Sequence, residues 1–364
     1  MPYAQVAGWG KYVPTRVVTN DSLVQGGLDT TDEWITSRTG IKQRRLIAQG
    51  EATSDMALKA GQQALAVAGV SPGEIDLIIV ATCTPDHLLP ATASLVQERI
   101  GAFRAGAMDI NAVCSGFVYG LVVAAGQIEA GRARRVLVIG ADTLSPYVDW
   151  QDRNTCVLFG DGAGAVLLAA STEPGILAGS LGSDGSGADL LMLPAGGSRQ
   201  PPNSHALVNG DHHIKMNGPQ VFRFATQMLA KSGERVVAAS GLRMRDIDLL
   251  VPHQANLRII ETTAKKLRVP MEKVFVNVDR YGNTSAASIP IAFCEAIEEG
   301  RVKAGDHVLL ASFGAGLTWA ATVVRWGLAR RAPSLLARLR TALAFLASAV
   351  LRRGRRARRH IPLP

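Results

Sequence analysis

Cysteine is scarce and scattered in this chain. Four occur in 364 residues: Cys83, Cys114, Cys156 and Cys294. None pairs in a CxxC or stands at zinc-ligand spacing from a histidine, which argues against a disulfide framework and fits reduced thiols in a cytosol. No metal site is expected, since His212 and His213 in "DHH" (211–213) have no further ligands beside them. Long apolar runs are missing too, none reaching the roughly 18 residues a membrane-spanning helix needs. The opening "MPYAQVAGWGKYVP" has no charged segment ahead of an apolar one, so no signal peptide is expected and a cytoplasmic location is. Acidic residues are absent from 330–364, which hold ten arginines; taking those from the formal +9 leaves the rest near −1. No aromatics interleave the Arg352–Arg359 cluster, so nucleic acid is not an expected partner.

What is present describes a globular chain, 47% hydrophobic and 19% charged. It is also written twice. "MALKAGQQALAVAGVSPGEIDLIIVA" (56–81) resembles "MLAKSGERVVAASGLRMRDIDLLVPH" (228–253): an amphipathic helix, a turn, then an apolar strand. "IEAGRARRVLVIGAD" (128–142) and "FGDGAGAVLLAA" (159–170) return in the same order as "IEEGRVKAGDHVLLASF" (297–313) and "FGAGLTWAATVV" (313–324). Strands alternating with helices predict an α/β fold with parallel sheet, its two halves packed about a pseudo-twofold axis as α/β/α/β/α layers. The divisions expected are 1–172, 173–329 and a basic tail, 330–364. The Gly-, Ser- and Pro-rich stretch 171–215 reads as an elaborated connection, since it holds strand-like "GILAGSL" and "ADLLML". "GDGAGA" (160–165) leads into a strand rather than a helix, and so fails as a dinucleotide loop.

Three residues carry candidate chemistry. Cys114, in "DINAVCSGFVYGL" (109–121), sits at a strand-to-helix junction among small residues. A helix N-terminus there favours the thiolate; the alternative is a buried structural thiol. His253 follows an apolar strand, broken out of it by Pro252; alone it reads equally as a hydrogen-bonded structural histidine. Asn283, in "YGNTSAASIP", alone reads as a cap or turn residue. Aligning Arg132 with Arg301, an offset of 169, sets Cys114 opposite Asn283 and places a site between the halves. Cys, His and Asn suit a cysteine protease or a thioester-handling enzyme. In the second, Cys114 takes an acyl group while His253 and Asn283 donate to a second thioester carbonyl as it becomes an enolate. No carboxylate stands within three residues of Cys114, His253 or Asn283, which favours making that carbanion by loss of carbon dioxide.

These motifs, with "TNDSL", "TTDEWITSRTGIKQRR", "DRNTCVLFGDGAGAVLL", "KMNGPQVF", "VPHQANLRI" and "SFGAGLTWA", resemble the beta-ketoacyl-acyl-carrier-protein synthase III family over residues 4–326. The resemblance implies a thiolase fold and a homodimer. It implies a two-stage condensation: acyl-CoA acylates Cys114, then malonyl-acyl-carrier protein is decarboxylated and attacks, initiating fatty acid synthesis. Acyl-CoA is a substrate and no cofactor is implied. By the same resemblance the N–H groups of Cys114 and Ala315 form the acyl oxyanion hole. Trp34, Arg38, Arg153 and Asn256 bind CoA, and Gln254, Ala255, Asn256, Leu257 and Arg258 receive the acidic carrier protein. Leu89 matches the residue by which a partner subunit closes the primer pocket, and leucine there permits short primers. Pro219 departs from the pattern, removing an N–H and a polar side chain near the CoA arm. The alternatives are a priming or acyl-transfer enzyme of a secondary-metabolite pathway and a non-catalytic lipid-binding scaffold. In the tail, Leu335, Leu339, Leu343, Leu346 and Val350 share one helical face. It reads first as an extension or a helix packed on the body, and second as an interfacial helix making weak membrane-surface contact through residues 333–359.

Overall fold

The computed structural model describes residues 1–327, so the expectations for 330–364 lie outside the described residues. Two sheets carry the chain. The first uses β1 (Tyr3–Tyr12), β4 (Leu77–Ala81), β5 (Gly106–Ile110), β6 (Arg135–Asp142) and β7 (Gly162–Ser171), in the order β1-β7-β6-β4-β5. The second uses β8 (Ile176–Ser183), β11 (Leu249–Pro252), β12 (His307–Gly314) and β13 (Thr318–Arg325), in the order β11-β12-β13-β8. Read from β8, the second sheet repeats the first, and an isolated parallel bridge from Leu250 to Val274 takes the place of β5. Two short ribbons complete the strands: β2 (Arg16–Thr19) with β3 (Gln43–Leu46), and β9 (Leu191–Met192) with β10 (Lys215–Met216).

The sheets are mixed rather than parallel. β4 runs parallel to β5 and β6, and β11 to β12, but β7 and β13 run antiparallel to both their neighbours. The reason lies in the connections. Residues 143–161 hold no crossover α-helix, and only residues 315–317 join β12 to β13, so each strand returns from the end where its predecessor stopped.

Between the sheets lie the helices Gly116–Glu129 and Ser288–Glu298, whose residues join both sheets in one apolar core. The first has no charge before Glu129, as a helix buried on both faces requires. The helices Thr53–Ala68 and Thr92–Ile100 cover the outer face of the first sheet, and Gly218–Ala239 and Leu257–Leu267 that of the second. The layers are therefore α/β/α/β/α. The glycines of 160–165 serve this packing: a Cβ at Gly164 would meet Pro290 Cβ at 2.7 Å, on the central helix.

Each central helix is entered through the same short turn, Val113–Ser115 and Ser285–Ala287. Val113 and Ser285 both hold left-handed backbones, φ 47° and 51°, which a β-branched valine adopts only under constraint. This match corrects the sequence alignment. The spatial offset is 172, so Cys114 corresponds to Ala286, and Asn283 to Asn111.

Candidate active site

The turn Val113–Ser115 holds Cys114 between the halves, where two spaces meet. The thiol is 6% exposed and lines two connected spaces. Inward lies a mostly apolar cavity of 330 Å³ bounded by Cys83, Leu144, Tyr147, Ile214 and Ala315. Outward, a 110 Å³ passage is lined by His253, Asn283 and Phe313 together with Cys114. Through Met216, Phe222 and Asn256 this passage joins a 1050 Å³ mouth. The site thus brings Cys114, His253 and Asn283 to one passage.

His253 leaves β11 fully buried, its N–H donating to Ala311 O at 2.8 Å. Its Nδ1 lies 2.6 Å from Ser288 Oγ. Ser288 Oγ also accepts the N–H of Gln254 at 3.4 Å, and we assign its own hydrogen to Nδ1. That arrangement leaves the imidazole hydrogen on Nε2, and Nε2 is buried with no protein partner. Burial pushes the His253 pKa down to about 3, so the ring is neutral at working pH. The Phe313 ring lies edge-on, 5.3 Å away at 73°. Asn283 is held by its backbone, donating to Leu158 O at 2.8 Å and accepting from Gly160 N–H at 3.0 Å. Its Oδ1 accepts the N–H of Ser285 at 2.9 Å, which commits the carbonyl end and leaves the Nδ2 end for the passage.

The thiol departs from expectation. Burial pushes the Cys114 pKa up to about 12; the Ser285 hydroxyl works against that rise and the Asp142 carboxylate adds to it. The two-residue lead from turn to helix does not outweigh desolvation, and the resting sulfur carries its proton. Beside it, Gly314 ends β12 so closely that a Cβ there would stand 2.8 Å from Cys114 N. Ala315 follows on the wall of the inner cavity.

The mouth is basic and aromatic. Arg38 and Arg153 place their guanidinium carbons 4.8 and 5.2 Å from the centre of the Trp34 ring. Thr31 Oγ1 caps that helix, Asp32–Thr39, at the Trp34 N–H. Asn256 caps Leu257–Leu267 through Arg258 N–H at 2.9 Å and donates from Nδ2 to Arg38 O at 3.1 Å. Arg258 is exposed at the rim, over Phe222. Pro219 lies in the first turn of Gly218–Ala239, where its missing N–H is one the helix could not satisfy internally.

Two expectations need correction. Gln254 is buried, its side chain spent on Pro252 O, Phe275 O and Asn277 N–H, so it cannot meet a carrier protein. Ala255 is buried as well, which leaves Asn256, Leu257 and Arg258 of that segment accessible. Leu89 is 84% exposed and lies outside this chain's own cavity, whereas the expectation concerned the pocket of a partner subunit. Sequence reasoning also passed over Ser288 and Phe313. Both stand inside motifs it had quoted, but only their packing on His253 marks them.

A thiol at the entry of a central helix, in a doubled five-layer fold, with two neutral amide- and imidazole-type donors facing it, defines a thiolase-fold condensing enzyme. Comparisons with known proteins carry this to a family. The family model for 3-oxoacyl-[acyl-carrier-protein (ACP)] synthase III matches residues 108–185, and that for its C-terminal part matches 237–326. The beta-ketoacyl-[acyl-carrier-protein] synthase III of Roseiflexus castenholzii is 53% identical over 325 residues, 89% of this chain and 98% of that protein. The crystal structure of 3-oxoacyl-[acyl-carrier-protein] synthase III from Aquifex aeolicus matches with TM-score 0.82 and 46% identity, covering 89% of this chain and all of that one. The priming beta-ketosynthase of the R1128 polyketide pathway matches with TM-score 0.83 at 35% identity, covering 90% of this chain and 97% of that one. The chain belongs to the beta-ketoacyl-acyl-carrier-protein synthase III family. It is an acyltransferase of fatty acid synthesis, and its reaction is the initiating condensation of acyl-CoA with malonyl-acyl-carrier protein.

Proposed function

We propose that Cys114 is the nucleophile for a short acyl-CoA primer and that His253 and Asn283 stabilise the enolate of the extender. The observation that carries this is the pair of free donors, His253 Nε2–H and Asn283 Nδ2, on the passage that Cys114 shares. In the first stage the sulfur of Cys114 bonds the acyl carbonyl carbon and the CoA thioester bond breaks. CoA leaves as its thiol, carrying the proton that Cys114 gave up. The N–H groups of Cys114 and Ala315 receive the oxyanion. In the second, the carrier-bound malonyl thioester loses carbon dioxide, and the electron pair moves onto its carbonyl oxygen between His253 and Asn283. The enolate carbon then bonds the acyl carbon and releases the Cys114 sulfur as a thiolate, which takes up a proton from water. No protein base removes a carbon-bound proton, which accords with a His253 that burial keeps neutral.

Trp34, Arg38, Arg153 and Asn256 are assigned to CoA, two guanidinium groups near one indole suiting adenine and phosphate. Leu257 and Arg258 receive the acidic carrier. Residues 1–172 supply the thiol, and 173–329 supply the histidine and amide. A homodimer is supported by β5, an edge strand with an unpaired side, and by exposed Leu88 and Leu89, placed to close a partner's pocket. CoA substrates and reduced thiols support a cytoplasmic location, and no described helix is long and apolar enough to cross a membrane. Incubating the chain with acetyl-CoA alone and mapping peptides by mass spectrometry tests the assignment. Acetyl on Cys114 is the expected result; acetylation elsewhere, or none with any acyl-CoA, would refute it.

A further inference from the structure

The two halves present one turn twice, and each turn lies across the end of the other half's central strand. Beneath the Cys114 N–H that strand end is Gly314. Beneath the Ala286 N–H, its counterpart, it is Asp142, whose Oδ2 accepts that N–H at 3.0 Å. Asp142 is fully buried, and no Lys, Arg or His pairs with it among the described residues. Its Oδ1 accepts from Thr82 Oγ1 at 3.0 Å, Thr84 Oγ1 at 2.9 Å, Cys83 N–H at 2.8 Å and Thr84 N–H at 3.2 Å. Every contact is donated to it, as a carboxylate receives hydrogen bonds.

We infer that Asp142 is a positioning residue: in the twin of the acyl oxyanion hole its carboxylate takes the Ala286 N–H, while the other N–H, that of Thr143, donates to Thr84 Oγ1 at 2.8 Å, and so it holds the 283–287 turn where Asn283 reaches the condensing substrate. This rests on the roles proposed above for Cys114 and Asn283. Asn283 stands three residues before Ala286 and binds the same turn through Ser285 N–H. Fixing the turn therefore fixes the amide. The twin also accounts for Gly314. Without a side chain there, a substrate oxygen can take the place beside Cys114 N–H that an Asp142 oxygen takes beside Ala286 N–H.

The test uses the full chain with acetyl-CoA and malonyl-acyl-carrier protein. Asp142→Asn, which turns amide hydrogens toward existing donors, should slow condensation from pre-acetylated enzyme at least about tenfold with little change in KM for acetyl-CoA. Iodoacetamide alkylation of Cys114 at pH 7 should instead speed up several-fold, because a nearby negative charge is gone. Thr82→Val removes one donor and keeps the charge, so it should slow condensation without speeding alkylation. Asp142→Asn condensing at the wild-type rate overturns the inference, as does a parallel loss of condensation and alkylation in both variants. A wild type that cannot condense tells against the proposed function alone. The alkylation comparison then decides the inference, an unchanged rate overturning it.

Discussion

At the scale of single residues, burial sets the chemistry of both titratable groups in the passage, in opposite senses. It holds Cys114 protonated, so alkylation by iodoacetamide should climb steadily from pH 6 to 9 as the thiolate fraction grows. A rate flat over that range would show a thiolate at rest. It holds His253 neutral, and here the effect reaches stability. The folded pKa is about 3 against 6.5 unperturbed, so between those values the unfolded chain binds the extra proton. The contribution is full above pH 6.5 and is lost as pH falls, by about 1.4 kcal/mol per unit from this group. His253→Gln should flatten that slope in denaturant melts taken at pH 4 to 7. Ser288→Ala frees Nδ1 to carry the hydrogen instead, and should cut condensation about tenfold while Cys114 still acetylates. Equal loss of both stages would contradict the tautomer argument.

Among the elements, the central turns depend on glycines in the strands that pass beneath them. A Cβ at Gly140 in β6 would lie 2.2 Å from Ala286 O, and that oxygen belongs to rigid backbone. Gly140→Ala must therefore push the 283–287 turn away from the sheet. It should lower stability by about 1–3 kcal/mol and slow condensation more than acetylation. Thermal melts and single-turnover kinetics would show this, and an unshifted melting temperature would mean that the turn yields freely.

On the scale of the molecule, the mouth and the open edge of β5 are separate commitments. Trp34→Ala together with Arg153→Ala should raise KM for acyl-CoA about tenfold and leave the rate from pre-acetylated enzyme unchanged. At β5, Met108 is 37% exposed beside unpaired backbone. Met108→Glu should shift the assembly toward monomer in analytical ultracentrifugation if strands pair across that edge, and leave it unchanged if they do not.

Some of this was legible in order along the chain. The doubled sheet showed as two runs of helix, turn and apolar strand in one sequence order, because each run's periodicity is a property of a single element. The motifs nominated Cys114, His253 and Asn283, which the fold brings to one passage. Other features depend on contacts that no local pattern carries. Ser288 reaches His253 across 35 residues, and Asp142 reaches Ala286 across 144. The twin of Cys114 proved to be Ala286, because the second central helix has 11 residues against 14 in the first, so an alignment anchored beyond the helices carries an offset three residues too small back to the turns. Gln254 looked accessible beside Asn256 until the packing of Phe275 and Asn277 enclosed it. The protonation of the thiol was misjudged for the same reason. A helix terminus can be read from neighbouring residues, but desolvation depends on everything packed around the sulfur, and only the tertiary structure assembles that.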